Sequence, residues 1–318
     1  LTISKVTKLK RKHFRVPNSI TTKYGVETAF NVNQNYDVQN VFKMYNTTHQ
    51  YTVFDDVDTL LDVLDNYDTI SFDLFDTILL RPFFQPKDVF IELEIRSNRP
   101  TFARNRVHAE QSSWGHGQYD LQKIYSLIKN DFKDLMKQES DLETEILQLN
   151  PEMQKIYQKA LQLKKKVIFV SDMYLPTNTF KKVFAKLDLY VDDFYLSQEQ
   201  KTGKNNNLFN IVKQKHQNIL HIGDNYQADF QSAIKHQIDA VHYKQKMFQL
   251  FNQNKKCKQF AVRLNGEDYI SASKLLGVRQ MLPTQINQDQ FEKRFADIFG
   301  DVEIEEELYN HFLDSCIE

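Results

Sequence analysis

Apolar and polar positions follow two different rhythms along the chain. Near-continuous apolar runs occur at "TISF" (69–72), "KVIFV" (166–170) and "NILHIG" (218–223), and they stop at Asp73, at Ser171–Asp172 and at Asp224. Elsewhere the apolar residues recur at three- and four-residue steps, the spacing of one helix face. "DDVDTLLDVLDNYD" (55–68) predicts a short helix with Val57, Leu60, Leu61 and Leu64 on one side. Residues 83–163 read as almost wholly helical, including one helix over "LQKIYSLIKNDFKDLMKQ" (121–138). A second helix follows, with Asn150 as its N-cap and Pro151 at its first position. "SSWGHGQY" (112–119) reads as a loop, and residues 1–53 show no sustained period.

From residue 165 short apolar strands alternate with helices: "NTFKKVFAKL" and "NLFNIVKQK" as helices, "VDDFYLS" and "DAVHYK" as strands. Such alternation predicts an α/β fold with a parallel sheet covered on both faces. In open parallel sheets ligands bind beyond the carboxyl ends of the strands. Asp73, Ser171 and Asp224 each occupy such an end, so three strands are expected to deliver polar groups to one crevice. Carboxylates meeting there repel unless they are protonated or bridged by a cation, and hard oxygen donors suit Mg²⁺. A single aspartate in this position would be read as a helix cap; three polar strand ends together point to a site.

Composition narrows the classes. The chain has 318 residues, 41% hydrophobic and 26% charged, as in an ordinary globular protein. A formal net charge of −1 provides no global field for nucleic acid or a membrane surface. No apolar run is long enough for a membrane span. The two cysteines, Cys257 and Cys316, have neither metal nor redox spacing, which points to a reducing, cytoplasmic setting. The basic stretch "SKVTKLKRKHFR" lacks an apolar face and reads as a solvated tail or linker. Because residue 1 is Leu, a fragment of a longer polypeptide is an open reading.

Three segments carry a resemblance. "FDLFDT" (72–77), "VIFVSDM" (167–173) and "HIGDNYQAD" (221–229) resemble, in order, the first, second and fourth motifs of the haloacid dehalogenase (HAD) superfamily of phosphohydrolases. "EQKTGKNNNLF" (199–209) offers the lysine expected before the last of these, as Lys204 or Lys201. The longer strings "FDLFDTILLRP", "SDMYLP" and "HIGDN" are similar to hydrolases encoded or fused with glycosyltransferases of bacterial surface polysaccharides. The resemblance implies a Rossmann-like core at 54–82 and 161–245 and an inserted helical C1-type cap at 83–160. Segments 1–53 and 246–318 would be extensions, the second mainly helical.

The same resemblance implies roles. Asp73 would be the nucleophile that forms an aspartyl-phosphate. Ser171 would donate to the transferring phosphoryl group, and Lys204 would neutralise its charge. Mg²⁺ would be held by Asp73, the Phe75 carbonyl, Asp224 and Asp229. Thr77 and Asp172, with Arg104 and His108 of the cap, would meet a small phosphorylated sugar or polyol. The pattern departs at Phe75, where phosphatases of this superfamily carry the acid–base aspartate; Asp76, one position on, is the nearest carboxyl group. Arg104, Arg106, His108 and Glu110 also fit a solvated helix face. His216, His221 and His236 lack a metal-ligand arrangement and read as helix-face or loop residues. A non-catalytic or weakly active HAD module, serving as an interaction domain, is the competing expectation that Phe75 raises.

Overall fold

The computed structural model describes residues 57–113, 119–262 and 268–317, so the readings on 1–53 and on Trp114 lie outside the described residues. The chain divides into two compact units. One holds 57–81 with Asn105–Gln245; the other holds Pro82–Arg104 with 246–317.

The first unit is built on a five-stranded parallel sheet in the order β5-β4-β1-β6-β7. Its strands are β1 (Thr69–Phe72), β4 (Lys166–Ser171), β5 (Asp193–Leu196), β6 (Ile219–Gly223) and β7 (Asp239–His242). A two-residue antiparallel pair, β2 (Leu79–Leu80) and β3 (Gln148–Leu149), lies apart from it. Every residue of β1 and β6 is buried, as continuous apolar runs require when helices cover both faces. β1 pairs with β4 and β6 so that Phe72 faces Phe169 and Ile222. Continued by one step, this register sets Asp73 level with residues 170 and 223, and Ser171 and Asp224 one residue beyond. The chain builds outward from β1 through β4 to β5, then restarts on its other side at β6. That reversal is where open α/β sheets form their ligand crevice.

The helix predicted over 55–68 is present as Val57–Val63 followed by a 3-10 turn, Leu64–Asn66. Asn150 caps Pro151–Gln162, its side chain accepting from the Glu152 N–H. The helix expected over 121–138 is broken. Leu121–Leu127 ends at Ile128, whose ψ of 157° is extended; a 3-10 turn, Asn130–Leu135, then leads into Met136–Ile146. A 3-10 turn also returns side chains to one face at three-residue steps, so the spacing of Ile128, Phe132 and Leu135 did not distinguish the two.

The second unit is helical, with Asp88–Ser97, Lys246–Gln253, Lys255–Val262, Tyr269–Arg279, Gln288–Phe299 and Glu306–Cys316. Its apolar core gathers Phe84, Leu275, Leu276, Phe291, Phe295 and Phe312. Tyr269–Arg279 is buried along nearly its whole length. Gly277 is required there, because a Cβ would lie 2.1 Å from the Phe83 nitrogen. Asp88 ties this helix to its own, accepting from the Ser273 hydroxyl at 2.6 Å and from the Tyr269 hydroxyl.

Candidate active site

The carboxyl ends of β1 and β6 bring Asp73, Asp224 and Asp229 together, with one oxygen from each within 4.8 Å of the others. Asp73 is 6% exposed and its N–H donates to the Ile222 carbonyl at 2.8 Å, which locks it to β6. Asp229 lies in a π-type turn, Tyr226–Gln231, whose cap is Asn225. The Asp229 carboxylate folds back to accept from the Asn225 N–H at 2.9 Å. This fold-back passes directly over Gly223, where a Cβ would lie 2.3 Å from the Asp229 carboxyl carbon. Only glycine leaves that space.

Of the two candidate lysines, Lys204 is the one that contacts the strand-end carboxylate. Its side chain is 3% exposed, and Nζ donates to Asp73 Oδ1 at 2.7 Å and to Asp229 Oδ1. Burial disfavours the charged ammonium, but Asp229, Asp73 and Asp172 outweigh it and raise the Lys204 pKa. Lys201 is exposed and sits on a left-handed backbone at φ 53°. Asp172 holds the Lys204 main chain in place, its carboxylate accepting the Lys204 N–H at 3.0 Å.

The carboxyl groups experience different fields. Burial raises the pKa of Asp73, against the pull of Lys204. Burial also works to raise Asp229, yet Lys204 and His221 prevail and hold it below the usual carboxylate range. Asp224 is pushed well above that range by burial and by Asp76, Asp73 and Asp229 around it. Its side chain accepts from the Thr77 hydroxyl at 3.3 Å and from Gln245 Nε2 at 2.6 Å. Asp76 stands at φ 56°, a backbone that Asp tolerates better than most residues. Its pKa is raised by burial and lowered by Arg81.

Phe75 lies with its ring edge-to-face against Phe180, at 5.8 Å, and with the Arg81 guanidinium 3.9 Å from its centre. Arg81 is held by paired hydrogen bonds to the buried Glu143. Phe75 and Asp76 lie in a six-residue turn, 74–79, closed by the Leu79 N–H on the Leu74 carbonyl at 2.8 Å.

The remaining residues singled out in the sequence have mixed placements. Ser171 is buried at the end of β4, and Thr77 is fully buried. Arg104 and His108 are exposed on Phe102–Ser113. Arg106 is not part of a solvated face: it is fully buried, paired with Glu139 through Nε at 2.7 Å and with Glu110 through Nη1 at 2.8 Å. Neither is His221 a surface residue. It lies inside β6, with Nδ1 2.8 Å from Ser71 Oγ and Nε2 3.2 Å from Asp229 Oδ1. Burial lowers its pKa, so the neutral ring donates Nε2–H to the carboxylate and accepts the serine proton. A histidine in the middle of the apolar run "ILHIG" was the available signal. The roles of Arg81 and Gln245 had none.

No family model and no curated protein matches the chain. Solved structures do. The candidate HAD-hydrolase YfnB from Bacillus subtilis, solved bound to magnesium, is 20% identical with a TM-score of 0.44, covering 55% of this chain and 87% of its own. The HAD phosphatase from Thermococcus onnurineus is 16% identical with a TM-score of 0.40, covering 56% and 86%. L-2-haloacid dehalogenase from Xanthobacter autotrophicus is 13% identical with a TM-score of 0.40, covering 55% and 77%. These similar structures are HAD-family hydrolases and a phosphatase. Among the described residues no helix is long and apolar enough to cross a membrane.

Proposed function

We propose that this protein is a HAD-type phosphatase that transfers a phosphoryl group from a small phosphorylated metabolite to Asp73 and then to water. The observation that carries the reading is Lys204 Nζ placed between Asp73 and Asp229, with Asp224 beside them at the carboxyl edge of a parallel sheet. An acidic cluster alone would be ordinary. A buried lysine that holds one strand-end carboxylate by its oxygen, and is itself held by a second carboxylate, preorganises the first as a nucleophile.

In the first step Asp73 attacks phosphorus through a carboxylate oxygen, and the bond to the leaving oxygen breaks. Lys204 keeps the nucleophile ionised and faces the charge of the transferring group. Ser171 donates a hydrogen bond to the same oxygens. Asp229, fixed by His221 and the Asn225 N–H, orients Lys204. Water then cleaves the aspartyl-phosphate and restores Asp73. Rate acceleration is mainly positional and electrostatic.

The donor set fits Mg²⁺. Asp73 and Asp229 share Lys204, while Asp224 is crowded by Asp76, Asp73 and Asp229. The Asp73 and Asp224 carboxylates and the Phe75 carbonyl would hold the ion, with Asp229 as a closely placed partner. Bound there, Mg²⁺ would polarise the phosphoryl oxygens and neutralise the crowded carboxylates.

On this proposal Thr77 and Asp172 border the phosphate site, and His108, exposed on Phe102–Ser113, meets the rest of the substrate. A sugar or polyol phosphate, a role in surface-polysaccharide synthesis and a glycosyltransferase partner rest on the motif resemblance, and a cytoplasmic location rests on two cysteines without metal or redox spacing. Phe75 supports a second reading, a weakly active interaction module, because its packed ring leaves no carboxyl group at that position. Hydrolysis of an aryl phosphate decides between them. Turnover that requires Mg²⁺ and vanishes in Asp73→Asn establishes the enzyme, whereas no turnover across a panel of phosphorylated metabolites refutes it.

A further inference from the structure

The helical unit contains a chemical feature that the proposed hydrolysis does not use. Cys257 and Cys316 are the only cysteines among 318 residues. They lie in different helices, Lys255–Val262 and Glu306–Cys316, which pack directly on each other. Both are free and fully buried in the same apolar core. The two helices pack on one another and both side chains lie in one core, with Cys257 near enough to help raise the Cys316 thiol's pKa beyond what burial does.

We propose that Cys257 and Cys316 are the site of a reversible disulfide that clamps helix Lys255–Val262 to helix Glu306–Cys316. The oxidant is a low-molecular-weight disulfide. One cysteine gives up its proton and its sulfur attacks the small disulfide, releasing one small thiol and leaving a mixed disulfide. The second cysteine, also deprotonated, attacks the protein sulfur of that bond and releases the other small thiol. In sum, two protein thiols and one small disulfide become one protein disulfide and two small thiols.

Position favours closure over other outcomes. Cys316 occupies the last residue of its helix, followed by Ile317 in extended backbone. The Arg279 guanidinium anchors the same turn, donating to the Cys316 carbonyl at 2.7 Å. The mixed disulfide would therefore form with the second thiol held at hand. Burial also sets the kinetics. It drives the Cys316 thiol far above its ordinary pKa, so little Cys316 thiolate forms in the closed core. Reaction must pass through local opening. Lys255–Val262 buries only Cys257, Phe260 and Ala261, so it opens at less expense than the whole unit.

The test uses the full chain, incubated with glutathione disulfide in native buffer and in urea below the unfolding transition. The expected product has lost two hydrogens by intact mass and carries no glutathione. It has no thiol titratable by maleimide after denaturation, and a midpoint of thermal unfolding several degrees higher, because the bond closes a loop of about 60 residues. Dithiothreitol reverses all three changes. Oxidation is faster in dilute urea than without it. Cys257→Ala and Cys316→Ala each retain one thiol and take up glutathione instead of closing. The proposal is overturned if the wild-type product is a stable glutathione adduct or a disulfide-linked dimer. It is equally overturned if both thiols remain titratable in urea at which hydrogen exchange shows Lys255–Val262 open.

Discussion

Replacing Lys204 with Met removes a charge and keeps nearly the same volume, so its consequences are electrostatic. Nζ lies 2.7 Å from Asp73 Oδ1 and also contacts Asp229 Oδ1, all three side chains being at least nine-tenths buried. Breaking a buried ion pair by deleting one partner destabilises by about 3–5 kcal/mol, because the other charge is left uncompensated. Here two carboxylates lose the same partner. They can recover part of that loss by protonation, which makes a neutral Asp73 a poor nucleophile. Burial already raises the Asp73 pKa, and Lys204 is the main group opposing it. Its removal moves the carboxyl group's titration further up. The acidic limb of the pH–rate profile should therefore shift to higher pH, with a rate at pH 7 at least about 10³-fold lower. Lys201→Met is the control: an exposed side chain should change stability by no more than about 0.5 kcal/mol. Urea unfolding and aryl phosphate hydrolysis across pH measure both variants. Lys201→Met matching the loss in Lys204→Met, or an unshifted profile in Lys204→Met, refutes the reasoning.

Gly223→Ala places a methyl group 2.3 Å from the Asp229 carboxyl carbon, where ordinary carbon contacts need about 3.5–4.0 Å. It should cost about 1–3 kcal/mol in urea unfolding and lower turnover by drawing Asp229 off Lys204. Asp224→Asn should weaken Mg²⁺ affinity measured by calorimetry, and excess chelator should stop hydrolysis in the wild type. Phe75→Asp tests the acid–base gap, with a rise in turnover of an alkyl phosphate as the expected result. Asp88, whose carboxyl burial lifts from 3.8 to about 6, binds its proton more tightly folded than unfolded. Its contribution is full below pH 4 and lost as pH passes 6, about 3 kcal/mol in all. The difference in unfolding free energy between wild type and Asp88→Asn should follow that curve.

The placement of carboxylates at the strand ends was legible because it depends on local order: an apolar run stops and a carboxylate follows. That rule located Asp73 and Asp224 without any knowledge of the fold. It could not choose between Lys201 and Lys204, since a loop lysine has no period. The choice lies in backbone geometry, where the left-handed turn at Lys201 leaves its side chain in solvent. Arg106 was misread for another reason. Its partner Glu139 is 33 residues away, and a helix read by itself cannot show which face another helix covers. The grouping of Pro82–Arg104 with 246–317 depends on still longer connections, such as Asp88 to Tyr269 across 181 positions. No local pattern encodes a contact of that separation.

On the proposed phosphatase reading, Phe75 constrains the reaction through what surrounds it. A carboxylate at this position would lie beside Arg81, but Glu143 already satisfies that guanidinium, and the aromatic ring covers it. The turn has thus given its most directly placed side chain to packing. Asp76 remains, on a left-handed residue, and its field reaches both Arg81 and Asp224. A carboxyl group coupled to Asp224 cannot hold its proton independently. Any cation that binds Asp224 also favours the ionised form of Asp76, which then has no proton to give. The departing oxygen must then leave with less proton transfer than an aspartate two residues from the nucleophile would supply, a difference typically of about 10²–10⁴ in rate. The deficit falls hardest on basic leaving groups. The rate should therefore decline steeply as the pKa of the leaving alcohol rises across a series of phosphate monoesters, and Phe75→Asp should flatten that slope more than it changes the rate with an acidic phenol.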